Sequence, residues 1–215
     1  MTADMHLALF FTGGVSLRTW VEGGMFEREV AVYRRLQEHG IRISFITYGK
    51  ADDLRYKKSI PGIDVLCNRW GLPGRVYSWT LPILHFSTFA PATVFKTNQV
   101  GGSDVALRAA RLWRKPLVAR CGYLWSQVAA RERGPQTPET RRALGVEANV
   151  FTAAQRVVVT TPAMQRDVAR RVPAAVDRMV VIPNYVDTGL FHPANGKRGD
   201  DQVIFVGRLS REKNL

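Results

Sequence analysis

The chain is poor in the residues that build metal clusters, disulfide frameworks and membrane spans. Of its 215 residues two are cysteines and four are histidines, and the histidines stand far apart. We therefore expect no metal site and read Cys67 and Cys121 as reduced, structural thiols. The most apolar window, residues 76–95, contains two prolines, a histidine and several hydroxyls. It is a poor candidate for a membrane span.

Several signatures of known chemistry are also missing. The sequence contains no GxGxxG dinucleotide fingerprint, no GxSxG hydrolase elbow and no DxD pair for a metal-bound sugar nucleotide. The stretch GLFHPANGK lacks the loop length and the following Ser or Thr of a phosphate-binding P-loop. The first eleven residues lack the features of a secretion signal. The two cysteines, which form no CxxC pair, are typical of a cytoplasmic protein.

What the chain has in excess is positive charge. It carries 31 Lys and Arg against 18 Asp and Glu, a formal net charge of +13. Such a chain is attracted to phosphates, acidic polymers or anionic lipid, and charge alone does not choose among them. With 46% hydrophobic residues, including ten Phe and five Trp, the composition is that of a folded globular protein.

Short apolar runs alternate with amphipathic stretches. We predict strands at residues 6–11, 41–48, 63–67, 93–96, 117–121, 157–159 and 179–182. We predict helices at residues 25–39, after the cap Gly101–Asp104, from Thr137 to Gln155, and from Thr161. Because parallel neighbours need helical crossovers, this alternation predicts a doubly wound α/β fold with a mainly parallel, Rossmann-like sheet.

A turn-rich stretch, residues 183–201, interrupts this pattern before apolar alternation returns at Val203. We interpret it as a domain boundary. The predicted organisation is a Rossmann-like domain at residues 1–193, a linker at 194–201, and the start of a truncated second domain at 202–215.

Ligands of doubly wound sheets bind where loops leave the carboxyl ends of the strands. The first such loop contains Gly13 and Gly14, which let a ligand approach the backbone, and Arg18. Gly23 and Gly24 precede a helix N-terminus, which favours an anion. The alternative is that these glycine pairs only form turns.

Two further loops carry hydrogen-bonding or aromatic side chains. Lys96, Asn98 and Gln99 follow a strand and suit sugar hydroxyls, although such residues are common in loops. Tyr123 and Trp125 follow the next strand, where they either stack on a sugar or pack the loop.

The last loop follows the predicted strand at residues 203–206. Arg208 and Lys213 can both reach the ligand edge and bind a diphosphate, Arg by a two-pronged contact and Lys as a point charge. A charged helix start on the surface has the same appearance.

The sequence IPNYVDTGLFHP, followed by VIFVGRLSREKNL, resembles glycosyltransferase family 4, the retaining sugar transferases of GT-B fold. Pro-Asn-x-Val-Asp, the later Phe and Pro, and Val-Gly-Arg-Leu with Glu-Lys-Asn come in the family's order and spacing. Upstream, Gly24, Glu27 and Arg28 are similar to the family's helix start. Where many members carry a histidine after the fifth strand, this chain has Gly122-Tyr123.

The resemblance implies two Rossmann-like domains facing a cleft, with the acceptor on the N-terminal one and a nucleotide-sugar donor on the other. Arg208 and Lys213 match the pair that holds the donor diphosphate and offsets charge on the leaving group without a metal. The family's glutamate pair lies beyond residue 215, so we expect this polypeptide alone to lack turnover.

The expected acceptor is a glycan or a lipid-linked precursor of cell-surface polysaccharide or glycolipid, at the cytoplasmic membrane face. Trp70, Arg75 and Trp79 fit docking on anionic lipid, and equally a solvated basic face with packed aromatics. One alternative is a sugar-phosphate synthase whose phosphosugar is bound by Arg18 or Lys96. Another is a basic nucleic-acid-binding module, which no visible motif favours.

Overall fold

The computed structural model describes residues 5–189 and 191–192. The chain divides into two units, Met1–Asn184 and Tyr185–Leu215, and the account below concerns the first. The predicted linker, the predicted start of a second domain, and the two residues Arg208 and Lys213 lie outside the described residues. The domain bounds therefore remain predictions.

A seven-stranded, wholly parallel sheet forms the centre of the first unit. Its strands are β1 (His6–Phe10), β2 (Arg42–Lys50), β3 (Ile63–Asn68), β4 (Val94–Thr97), β5 (Leu117–Cys121), β6 (Arg156–Val159) and β7 (Met179–Val181). The order β3-β2-β1-β4-β5-β6-β7 confirms the doubly wound, Rossmann-like prediction. The chain reverses its direction across the sheet between β1 and β4, which makes that point the expected ligand crevice.

Eight α-helices connect the strands in the described part of the chain. They are α1 (Leu17–Glu22), α2 (Phe26–Glu38), α3 (Gly74–Leu84), α4 (Phe86–Phe89), α5 (Ser103–Trp113), α6 (Trp125–Arg133), α7 (Pro138–Ala153) and α8 (Pro162–Arg171). Two 3₁₀ segments, Ala51–Ser59 and Pro173–Arg178, complete the order. The sequence predicted α2, α5, α7 and α8 and missed the others.

Local sequence chemistry sets most of these boundaries. The hydroxyls of Thr137 and Thr161 cap α7 and α8, each followed by proline, as predicted. Gly40 follows α2 with φ of 78°, the left-handed conformation expected after a helix end. The predicted cap of α5 within Gly101–Asp104 is also found: the N-cap is Gly102, which makes no side-chain cap, and the Ser103 hydroxyl donates to the Val100 carbonyl at 2.7 Å.

Two cores lie against the sheet. The core on one face contains Trp20 of α1, Tyr33 of α2 and Phe45 of β2. The core on the other face contains Phe10, Phe95 and Phe151. Connections between parallel strands are right-handed, so the helices that follow the reversal at β1 and β4, from α3 onward, cover the second face. On the first face, Val118 of β5 and Val158 of β6 are only partly buried, and Val180 of β7 is exposed.

The two cysteines are free and buried. Burial raises the pKa of the Cys67 thiol to about 11 and that of Cys121 to about 12, so both stay protonated at neutral pH, as structural thiols do. Within the described residues, no helix combines the length and apolar character needed to cross a bilayer. The same residues contain no group of three or more His, Cys, Asp or Glu arranged to hold a metal ion.

Candidate functional site

The loops after β1 and β4 touch through their backbones at the switch point. The Gly13 N–H donates to the Gly101 carbonyl at 2.8 Å. Gly102 has φ of 78°, and a Cβ there would lie 2.6 Å from the Gly13 Cα, closer than any real packing allows. Glycine at position 102 is therefore required for the two loops to meet, whereas a Cβ on Gly13 would lie 3.1 Å from the Gly102 Cα and would need only a small shift.

Gly14 is exposed and has φ of 78°, with open space where a Cβ would be. A few residues further on, the buried Asp53 carboxylate holds the start of α1. Asp53 accepts from the backbone N–H of Leu17 at 3.1 Å and from the Thr47 hydroxyl at 2.6 Å. These hydrogen bonds fix the end of the loop, while the backbone at Gly14 stays open to a ligand.

Helix α1 divides what the sequence suggested was a single loop from Phe11 to Gly24. The Arg18 guanidinium donates to the Glu22 carboxylate at 2.6 Å on the exposed surface of α1. Gly23 caps the C-terminus of α1, and Gly24 turns the chain with φ of 65°. The two glycine pairs therefore belong to different turns.

The predicted anion preference at the start of α2 is weakened by the helix's own side chains. Its first turn carries Glu27 and Glu29, and carboxylates at a helix N-terminus already complement the dipole. Gly23 and Gly24 remain candidate residues without an added observation in their favour.

Lys96 is half-buried on β4 and faces α2. Its Nζ donates to the Tyr33 hydroxyl at 2.9 Å and lies 5.3 Å from the centre of that ring. Burial, aided by the positive charge of Arg120 and opposed by Glu29, lowers the pKa of Lys96 to about 7. Burial also raises the pKa of Tyr33 well above its ordinary value. Near neutral pH this amine can therefore be charged or neutral.

Arg120 links three segments of the edge and was not among the candidates named from the sequence. Its guanidinium donates to the Asn98 carbonyl at 3.1 Å and to the Asn184 side-chain oxygen at 2.9 Å. The Gln99 side chain accepts from the Gly122 N–H at 2.8 Å. A basic residue inside the apolar strand β5 was the signal that could have drawn attention to it.

Tyr123 lies on the loop after β5 with its ring partly exposed. Partial burial raises the pKa of its phenol, so the hydroxyl is a neutral donor and acceptor at neutral pH. The structure thus gathers Arg120, near the end of β5, with Asn98, Gln99 and Tyr123 of the adjoining loops at the carboxyl edge; Asn98 is buried there, and Tyr123 is exposed. These groups can hydrogen-bond to a polyhydroxylated ligand and pack against it.

The family model of Glycosyltransferase Family 4 matches residues 23–190. The chain belongs to glycosyltransferase family 4. The resemblance seen in the sequence is thereby confirmed, and the family favours an enzyme over a nucleic-acid-binding module.

Two curated relatives are D-inositol 3-phosphate glycosyltransferases. The one from Salinispora tropica is 27% identical over 200 residues, which covers 87% of this chain and 42% of the relative. The one from Acidothermus cellulolyticus is 26% identical over 209 residues, covering 87% and 47%. The chain therefore spans less than half the length of these relatives.

Solved GT-B glycosyltransferases share the fold. Sucrose-phosphate synthase from Thermosynechococcus elongatus has a TM-score of 0.59 at 17% identity, with 88% of this chain and 50% of that chain covered. Anabaena HepE, solved in complex with UDP and glucose, has a TM-score of 0.57 at 16% identity, with 89% and 47% covered. At these identities the likeness shows the architecture alone.

Proposed function

We propose that this chain forms the acceptor-binding half of a retaining glycosyltransferase. The enzyme moves a sugar from a nucleotide-sugar donor to a glycan or lipid-linked acceptor in the synthesis of cell-surface polysaccharide or glycolipid. The observation that carries the proposal is the family match over residues 23–190, which spans the polar loops after β4 and β5. We place the activity in the cytoplasm, in peripheral contact with an anionic membrane.

In this proposal the carboxyl edge holds the acceptor. Asn98, Gln99 and Tyr123 offer amide and phenol groups to sugar hydroxyls, and the open backbone at Gly14 admits close approach. Arg208 and Lys213 hold the donor diphosphate and stabilise the negative charge that develops on the leaving group, without a metal.

Release of nucleoside diphosphate from a panel of nucleotide sugars tests this proposal, using the polypeptide with any coding sequence that follows Leu215. Arg208→Ala and Lys213→Ala are each expected to lower kcat/KM by about 10²–10³-fold, as the loss of transition-state charge stabilisation does. Arg142→Ala, which removes an exposed arginine from α7, is the matched control and should leave kcat/KM unchanged.

The 215-residue polypeptide assayed alone should bind acceptor but transfer no sugar. Transfer by these residues alone would refute the proposed division of labour. Unchanged kcat/KM in both the Arg208 and Lys213 variants would refute the diphosphate assignment.

A phosphorylated acceptor is the second candidate, as in a sugar-phosphate synthase. It is favoured by the names of both curated relatives, which include D-inositol 3-phosphate, and by the basic pair Lys96 and Arg120 near the edge. Lys96→Met should then raise KM for a phosphorylated acceptor and not for its unphosphorylated counterpart. Arg18→Met should have little effect, because the Arg18 guanidinium is engaged by Glu22.

A further inference from the structure

Helices α3 and α4 expose a stripe of large apolar side chains, which we call the α3–α4 stripe. Its members, with their exposed fractions, are Val76 (45%), Trp79 (74%), Ile83 (66%) and Phe86 (61%). The spacings of three, four and three residues place them on one side of a helical path. The opposite side carries the buried residues Tyr77, Leu81 and Phe89, so the stripe faces away from the core.

Cationic side chains surround the stripe. The Arg108 guanidinium lies 4.6 Å from the centre of the Trp79 ring, and that of Arg69 lies 4.7 Å from the Trp70 ring. Arg75 is exposed one turn before Trp79, and the Lys115 Nζ donates to the Ala90 carbonyl at the end of α4.

Carboxylates are almost absent from this part of the chain. Between Asp64 and Glu132 the only acidic side chain is that of Asp104, while arginines and lysines recur throughout. The chain segment that carries the stripe is therefore strongly positive.

This arrangement matches the chemistry of a bilayer surface that contains anionic lipid. Interfacial helices bury Trp, Phe and Leu-like side chains at the headgroup–acyl boundary and place Lys and Arg at phosphate level. Juxtamembrane positive charge is attracted to the negative surface potential of such a leaflet. A protein partner for the same surface would have to combine an apolar groove with a ring of carboxylates.

We propose that the α3–α4 stripe is a docking surface for an anionic lipid bilayer. Trp79, Ile83 and Phe86 enter the headgroup–acyl boundary, and the exposed Arg75 contacts lipid phosphates. Arg108, whose guanidinium donates to the Ser78 carbonyl at 2.7 Å, holds the Trp79 ring in place. The loop that leads into α3 leaves the carboxyl end of β3, the edge that carries the candidate site. If the acceptor is lipid-linked, as in the proposed function, docking here holds that edge near its substrate.

Vesicle flotation tests the docking without any sugar transfer. Wild-type protein should float with phosphatidylcholine–phosphatidylglycerol vesicles and bind pure phosphatidylcholine more weakly, and added salt should reduce binding. The double variant Ile83→Gln/Phe86→Gln should lower the partition coefficient by about tenfold or more. Val32→Gln on α2 changes a valine that is as exposed as Val76 (45%) but lies on the other side of the sheet. This control should leave vesicle binding unchanged.

Charge-reversal variants separate the electrostatic attraction to anionic lipid from the insertion of apolar side chains. Arg75→Glu should weaken binding to the anionic vesicles only, and Arg142→Glu, on α7, should do so much less. Thermal unfolding of each variant must match wild type, so that loss of binding reports the surface and not the fold.

Three outcomes would overturn the docking surface. They are no flotation of wild-type protein, equal losses in the stripe and control variants, or concentration-dependent dimerisation that Ile83→Gln abolishes, which would identify a second copy as the occupant. None of these bears on nucleoside diphosphate release, so failure here and failure of the proposed function are distinguishable.

Discussion

The Arg120 guanidinium lies 2.9 Å from the side-chain oxygen of Asn184, a residue sixty-four positions away. Asn184 belongs to the Pro-Asn-x-Val-Asp stretch after β7, and Arg120 is the penultimate residue of β5, three residues before Tyr123. One half-buried cation therefore connects the segment that carries the family resemblance with the loops that carry the candidate site.

Arg120→Met should loosen this edge and change the titration of Lys96. Loss of the bonds to Asn98 and Asn184 should lower the free energy of unfolding by about 1–2 kcal/mol. Since the charge of Arg120 helps lower the pKa of Lys96, that pKa should rise toward its ordinary value. Urea unfolding and the pH dependence of Lys96 acylation measure the two effects. Arg156→Met, on the exposed side of β6, is the control, and an equal change there would contradict the assignment.

Lys96 should make stability depend on pH. Its pKa is about 7 in the folded chain and 10.5 ordinarily, so between these values the unfolded state holds a proton that the folded state has released. The free energy of unfolding therefore rises with pH across this window. Below it, both states are protonated and the full cost of burying the charge remains.

Lys96→Met should abolish this rise, so its stability relative to wild type is highest in mildly acid solution and falls as the pH increases. Urea unfolding at a series of pH values below 10.0, the ordinary pKa of Tyr33, provides the measurement. Lys58→Met, which removes an exposed lysine, should keep the wild-type slope. A slope retained by Lys96→Met would show that another group causes it.

Asp53 should be a point of high sensitivity for the fold. Its carboxylate accepts from the N–H groups of Leu17 and Arg18 and from the Thr47 hydroxyl, so Asp53→Ala leaves these donors without their partner. We expect a loss of about 2–4 kcal/mol in unfolding free energy. Asp52→Ala, the exposed neighbour, should change it by less than about 0.5 kcal/mol. Similar losses in denaturant titrations would refute the capping role.

The glycine contact at the switch point can be separated from backbone strain. Gly14 and Gly102 both have φ of 78°, but only a Cβ on Gly102 would meet another backbone. Gly14→Ala should cost about 1–2 kcal/mol from the left-handed conformation alone, whereas Gly102→Ala should cost clearly more because the loops must separate. Equal midpoints of denaturant unfolding for the two variants would show that the contact contributes little.

The sequence predicted the seven strands and the parallel, doubly wound order of their connections, because each strand is a short apolar run between turn formers. It missed α3 because that helix is apolar on both sides: Tyr77 and Leu81 face the core while Trp79 and Ile83 face outward, which erases the amphipathic period. It missed α1 because a helix of only six residues between two glycine pairs resembles a loop. The hydrophobic pattern along the chain does not distinguish a short helix, or a helix that is apolar on both sides, from a loop.

The candidate site was predicted as four loops but not as an assembly. That Gln99 reaches Gly122, or that Arg120 reaches Asn184, depends on the register of β4 with β5 and of β6 with β7. Such pairings are decided by packing across the sheet. The pKa of Lys96 is likewise set by the burial of its amine beside Tyr33, which spacing along the chain does not reveal.

Strand β7 has only three residues and, among the described strands, pairs only with β6, whereas β1 is hydrogen-bonded on both sides at the middle of the sheet. Backbone amides of β1 and β4 should therefore exchange with deuterium last, and those of β7 early, through openings that leave the central core intact. Because Asn184 lies three residues beyond the end of β7, such an opening would release Arg120 before the central core unfolds. The rate at which this short edge strand opens would then set how often the carboxyl edge rearranges, independently of the free energy of unfolding of the whole domain.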